Sequence, residues 1–137
     1  MSSTVAIVGA GPSGLAACKA ALEEGLRPTI FEQGVGVGGV WRGDSGKVWS
    51  SLRTNLSKWT CSFSDAPWPE TAVDFPGSAD VLKYLEMFAM QYNLLEHVRQ
   101  QSCVKNLDIV PGGWRVTWEQ KEDAGMRTTS EVFNFVI

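Results

Sequence analysis

The segment Gly9-Ala10-Gly11-Pro12-Ser13-Gly14 constrains this chain more than any other feature. It follows Thr4-Val5-Ala6-Ile7-Val8, a short β-branched run that reads as a strand buried on both faces. After it, Ser13 to Glu24 is rich in Ala and Leu, and Gly25 stands at the helix stop. Gly9 permits a tight turn, Gly11 lets backbone approach a pyrophosphate, and Gly14 lets helix pack on strand. The helix start offers unpaired N–H groups and partial positive charge to phosphates. Pro12 and Ser13 suit a first turn, where a missing N–H costs little. Pro28 to Glu32 is a second apolar strand, so the unit reads as strand, glycine turn, helix, strand. Glu32 at its end is placed to accept hydrogen bonds from ribose hydroxyls. The same carboxylate would repel a 2′-phosphate, which favours FAD or NAD over NADP at this site.

A second glycine cluster decides between FAD and NAD. The protein has 14 glycines, and Gly34, Gly36, Gly38 and Gly39 fall directly after the ribose carboxylate, before Val40-Trp41-Arg42. Two glycine loops so close together suggest a long extended ligand passing two backbone turns, which fits FAD. A flexible, hairpin-like connection is the alternative reading of the same residues.

The rest of the chain continues one α/β domain over residues 1–137. Residues 50–77 carry prolines and aromatics with little periodicity and read as irregular. Ser78 is the expected cap of a helix running to about Leu95, with Asp80 in its first turn and Val81, Leu85, Phe88 and Ala89 on one face. Ser102 to Ile109 reads as a strand, and Pro111-Gly112-Gly113 as a turn. Trp114, Val116 and Trp118 alternate with polar residues in a half-buried antiparallel strand. Thr128 to Ile137 reads as one or two more strands, giving an antiparallel meander added to a parallel sheet. The run Val132 to Ile137 has a buried-strand pattern with nothing after it, so the domain reads as truncated.

Several function classes are disfavoured. With 12 basic and 15 acidic residues the net charge is −3, so no basic field attracts nucleic acid or an anionic membrane. Cys18, Cys61 and Cys103 are widely spaced, which argues against a disulfide framework, a cysteine zinc site or a dithiol centre. They read as free thiols in a reducing, intracellular, cytoplasmic setting. His97 is the one histidine and reads as a helix-end residue, so no metal site is expected. No secretory signal or membrane-spanning stretch is evident.

The motifs GAGPSGL, Phe31-Glu32-Gln33, the GGVWR stretch from Gly38 to Arg42, and SLRTNLSKWTCSFSDAPWPE from Ser51 to Glu70 together resemble the N-terminal part of flavin-containing monooxygenases. The resemblance covers essentially the whole chain. It implies a Rossmann-like FAD/NAD(P)-binding fold and an enzyme that uses FAD, NADPH and oxygen to oxygenate nitrogen or sulfur atoms of small molecules. By resemblance, Gly9, Ala10, Gly11, Pro12, Ser13 and Gly14 hold the FAD pyrophosphate, and Glu32 with Gln33 the adenosine ribose. Gly39, Val40 and Trp41 flank the flavin side, and the backbone of Val104 reads adenine. Thr54, Asn55 and Leu56 match a segment that touches flavin and nicotinamide, and the Asn55 amide stands closest to catalysis. On residue type alone, an Asx-turn is the favoured reading of Asn55. The cofactor carries the reaction in such enzymes, so no acid–base pair is required. The second glycine motif for NADPH, and the histidine-containing fingerprint before it, are not in this sequence. The isolated chain is therefore expected to bind FAD weakly and not to turn over NADPH. The other readings are a non-catalytic dinucleotide-binding module and another two-dinucleotide flavoprotein oxidoreductase. The cysteine spacing disfavours a disulfide reductase among the latter.

Overall fold

A computed structural model describes residues 2–137. Strand β1 (Thr4–Val8) leads through the glycine turn into helix α1 (Pro12–Glu23), which returns to strand β2 (Arg27–Phe31). β1 and β2 pair in parallel with Thr4 opposite Arg27 and Val8 opposite Phe31. The expected strand–helix–strand unit is therefore present. Gly25 ends α1 with φ +70. Its N–H donates to the Leu22 carbonyl and that of Leu26 to the Ala21 carbonyl, which closes the last turn with left-handed backbone that glycine adopts without strain.

Helix α2 (Ser78–Gln91) and a 3-10 turn at Leu94–His97 lead to strand β3 (Val98–Arg99), which extends the sheet beside β2. The sequence placed the helix end between Asn93 and about Leu95 and the cap at Ser78; the structure ends the helix at Gln91, just before Asn93, and caps it one residue before Ser78. Asn93 takes a left-handed φ of 54, so the chain turns out of the helix earlier. Gly77 is the N-terminal cap residue, and the Asp80 carboxylate accepts its N–H at 3.0 Å. Ser78 is already inside the first turn, buried, with its hydroxyl donating to the Trp49 carbonyl at 3.4 Å. A serine there cannot cap, because the cap residue must sit outside the helix.

Strands β4 (Ser102–Val110), β5 (Gly113–Glu122) and β6 (Gly125–Phe133) form the expected antiparallel meander. The run Val132 to Ile137 is not one strand. Phe133 ends β6, Asn134 breaks the pattern, and β7 (Phe135–Val136) joins β1 in parallel. Asn134 ties that switch down, since its Oδ1 accepts the Thr4 N–H at 2.9 Å. The parallel sheet order is thus β3-β2-β1-β7.

Both faces of this sheet are covered, which explains the continuous apolar character of β1 and β2. Val5, Ile7 and Ile30 pack with Leu15 of α1 and Leu85 and Phe88 of α2. Ala6 and Phe31 point the other way, into a second core with Val116, Trp118 and Phe133 of the meander. The Phe31 ring lies 4.8 Å from Trp118 and 5.8 Å, edge-on, from Phe133. Strand alternation therefore divides one buried run between two layers.

Residues 50–77 contain no helix or strand, only an isolated bridge between Arg53 and Gly77 and one between Phe63 and Ala66. Order comes from scattered backbone hydrogen bonds, such as those from the Thr54 N–H to the Pro76 carbonyl and the Lys58 N–H to the Asp74 carbonyl, and from side chains. The Lys58 ammonium donates to the carbonyls of Glu70 (3.1 Å) and Ala72 (2.5 Å). Trp68 stacks on Tyr84 of α2 at 4.5 Å, and the Tyr84 hydroxyl accepts the Phe63 N–H and donates to the Ala66 carbonyl.

Candidate nucleotide cleft

The carboxyl ends of β1 and β2 open into a cleft of about 690 Å³, where ligands bind in open α/β sheets and within the range of small-molecule sites. Three segments form its walls: the turn after β1, the stretch from Phe31 to Lys47, and the start of β4.

The turn is built as its glycines require. Gly9 has φ +98, a conformation other residues rarely adopt. A Cβ on Gly14 would overlap the Gly9 carbonyl oxygen, so helix and strand approach closely only because that atom is missing. Gly11 caps α1 without any side-chain hydrogen bond. The first-turn N–H groups of Ser13 and Gly14 therefore have no intrahelical acceptor and are available to an anion.

Glu32 is buried, at 8% exposed. Its Oε2 accepts the Ala10 N–H at 2.8 Å and its Oε1 the Gly34 N–H at 2.6 Å. One carboxylate thus links the first glycine turn to the second. Each oxygen keeps a further lone pair for a ribose hydroxyl. The Glu32 carbonyl also accepts the Ser102 N–H at 2.8 Å, which sets the start of β4 against the end of β2.

The second glycine cluster divides by role. Gly34 and Gly39 line the cleft. Gly39, at φ +59, packs backbone to backbone on Gly11: a Cβ there would lie 2.9 Å from the Gly11 Cα. Gly36 and Gly38 serve the protein's own packing. A Cβ on Gly36 would overlap the Arg42 guanidinium, and one on Gly38 would overlap the Leu82 side chain. The sequence reading took the cluster as one loop along the ligand and singled out only Gly39, because a glycine seating a side chain and one facing a ligand look alike in sequence.

Of the residues singled out beforehand, Gly9, Gly11, Glu32, Gln33, Gly39, Val40 and Val104 line this cleft. Ala10 is buried behind it, and Gly14 packs helix on strand. Pro12, Trp41 and Leu56 line a separate hollow of about 240 Å³ with Cys61, Phe63 and Tyr84. Thr54 closes its own turn, its hydroxyl donating to the Leu56 carbonyl at 2.8 Å. Asn55 is exposed and lines neither hollow; the turn its type suggested is made by Thr54. Sequence reasoning did not single out Arg42, Lys47, Ser102 and Cys103, which also line the cleft. Arg42 was legible as the cation ending the GGVWR stretch. Ser102 and Cys103 carried no signal beyond the start of a strand. The bulge between Val104 and Asn106 bends β4 just past the cleft wall.

These residues fit FAD. The cleft joins an uncapped helix N-terminus, a floor of bare backbone at Gly11 and Gly39, and a carboxylate with free lone pairs. Among the described residues no group of three or more His, Cys, Asp or Glu is arranged to hold a metal ion, and no helix is long and apolar enough to cross a membrane.

Comparison with known proteins agrees with this geometry. The chain is 34% identical over 147 residues to the dimethylaniline monooxygenase [N-oxide-forming] 2 of Oryctolagus cuniculus, covering 100% of this chain and 27% of that protein. It therefore spans about a quarter of the length of this curated relative. The solved structure of S-allyl-L-cysteine S-oxygenase from Allium sativum superposes with a TM-score of 0.85 at 33% identity, over 99% of this chain and 36% of that one. An oxidized steroid monooxygenase bound to NADP superposes with a TM-score of 0.76 at 28% identity, over 95% and 25% of the two chains. The family profile described as flavin-binding monooxygenase-like matches residues 2–137, and the chain belongs to that family.

Proposed function

We propose that this chain is the FAD-binding portion of an NADPH- and oxygen-dependent monooxygenase that oxygenates nitrogen or sulfur atoms of small molecules. The observation that carries the reading is the single cleft onto which the glycine turn, the Gly11–Gly39 floor and the Glu32 carboxylate all open. The names of two relatives, one N-oxide-forming and one an S-oxygenase, support nitrogen and sulfur as the atoms oxygenated. The relative solved with NADP supports the nicotinamide partner.

On this reading Gly9 to Gly14 receive the pyrophosphate, Glu32 and Gln33 the adenosine ribose, and Val104 the adenine. Gly39, Val40 and Trp41 border the flavin side, with Thr54 and Leu56 beyond them. When bound, FAD supplies the redox and oxygen chemistry; the protein holds it and keeps water away. Asn55 is assigned the catalytic position by its match to the family segment that touches flavin and nicotinamide, where its amide can both donate and accept hydrogen bonds. Residues 1–137 form an FAD-binding domain, and the NADPH-binding domain lies outside them. Three free cysteines support a reducing, cytoplasmic setting.

Titrating the purified chain with FAD tests this. Saturable one-to-one quenching of flavin fluorescence and a raised melting midpoint are expected, because a ligand that binds only the folded state stabilises it. NADPH should not be oxidised by the chain alone. An unchanged midpoint at saturating FAD would overturn the assignment.

A further inference from the structure

Arg42 is seated with unusual care for a loop cation. Two glycines make room for it: a Cβ on Gly36 would overlap its guanidinium, and one on Gly38 would lie 3.3 Å from its Cγ. The side chain is mostly covered and forms part of the cleft wall, alongside Lys47. Its one side-chain acceptor among the described residues is Asp44. Nε donates to Oδ1 at 3.1 Å and Nη2 to Oδ2 at 3.0 Å. Asp44 lines the same wall and is largely exposed. The remaining N–H donors of the guanidinium take no acceptor among the described residues.

Carboxylates also surround Arg42. Glu32 and Glu86 both lie within electrostatic reach of Arg42. An incoming phosphate meets Glu32 and Asp44 at this wall together with Lys47 and Arg42, and Arg42 is the fork-shaped donor matched to its oxygens. The backbone of Arg42 is one turn from the pyrophosphate floor, its N–H donating to the Gly39 carbonyl at 3.2 Å.

We infer that Arg42 is a phosphate ligand of the dinucleotide, and that Asp44 competes for the same guanidinium and so sets how tightly the nucleotide is held. This rests on the cleft being a dinucleotide site and names a contact beyond the glycine turn. Without ligand, Asp44 keeps the guanidinium oriented and neutralised. With ligand, phosphate oxygens take its free donors, and the exposed Asp44 gives way to water at small cost.

Binding of adenosine, ADP and FAD to wild type, R42Q, R42K and D44N separates the possibilities. A charged hydrogen bond supports a loss of about tenfold or more for ADP and FAD in R42Q. Adenosine, which has no phosphate, should change less than about twofold in every variant, since none of them removes a ribose or adenine contact. R42K should fall between, because it keeps the charge and loses the fork. D44N should tighten ADP and FAD by roughly threefold, and more at low ionic strength. Melting each variant without ligand checks folding; if R42Q does not fold, R42K and D44N carry the test. Equal losses for adenosine and ADP, or a D44N variant with unchanged or weaker ADP binding, would overturn the inference. Wild type that binds FAD beside a fully competent R42Q refutes this inference alone. Wild type that binds neither FAD nor ADP refutes the dinucleotide reading and this inference with it.

Discussion

The Gly9 carbonyl oxygen occupies the space a Cβ on Gly14 would need, whereas a Cβ on Gly11 would lie 3.7 Å from the Gly39 Cα, an ordinary contact. Gly14 is thus required by the fold, and Gly11 leaves open backbone toward the cleft. Gly14→Ala forces α1 away from β1 and should cost about 1–3 kcal/mol or more. Gly11→Ala should fold with nearly wild-type stability and lose FAD affinity, because its methyl group stands where a pyrophosphate approaches. Urea unfolding and FAD titration of both variants check the contrast. Similar stabilities for the two would contradict it.

Glu32 braces the cleft before any ligand arrives, with one oxygen on Ala10 and the other on Gly34. Glu32→Gln can offer an acceptor to only one of these N–H groups and turns an NH2 toward the other. That leaves a donor facing a donor in a buried site, at a cost of about 1–3 kcal/mol. The ligand-free variant should therefore unfold at lower urea than wild type. Weak FAD binding in this variant then combines a lost ribose contact with a loosened cleft. Equal unfolding midpoints without ligand would show that the brace carries no stability.

Much of this was legible in the sequence because period and glycine spacing report directly on backbone. β1, α1 and β2 followed from an apolar run, a helix-forming stretch and Gly25. The meander followed from the alternation of Trp114, Val116 and Trp118. What stayed hidden depended on side chains reaching across the chain. Lys58 reaching the Glu70 and Ala72 carbonyls, and the Tyr84 hydroxyl of α2 bridging Phe63 and Ala66, have no local pattern. The Val132 to Ile137 run misled because hydrophobicity does not reveal which sheet a residue joins. The split at Asn134 comes from its contact with Thr4, 130 residues away.

The three thiols should separate by reactivity. Burial pushes Cys18 up to about 11, so little thiolate forms at neutral pH. Cys61 and Cys103 are only partly covered, and Cys103 lines the nucleotide cleft. Timed alkylation read by mass spectrometry should label Cys61 and Cys103 well before Cys18. Added FAD should slow Cys103 severalfold by covering it. Cys103 labelling that ignores saturating FAD would place the nucleotide elsewhere.

Lys19 joins three elements, and the joint should titrate in acid. Its ammonium lies 2.7 Å from Asp65 in the irregular segment, 2.5 Å from Glu23 one turn along α1, and 4.7 Å from the ring centre of Tyr92. The hydrogen bond from Lys19 holds Asp65 below its ordinary value of 3.8. A carboxylate lowered on folding contributes stability that is present above its unfolded pKa and is lost as pH falls through its folded one. Wild type should therefore lose part of its stability below about pH 4, as Asp65 takes up a proton and releases Lys19. Asp65→Asn should lower the melting midpoint at pH 7 and flatten its decline between pH 5 and 3, both relative to wild type. Salt should weaken the effect only in part, since the Lys19 side chain is 14% exposed and incompletely screened. Parallel melting curves for the two proteins across that pH range would show that the joint does not contribute.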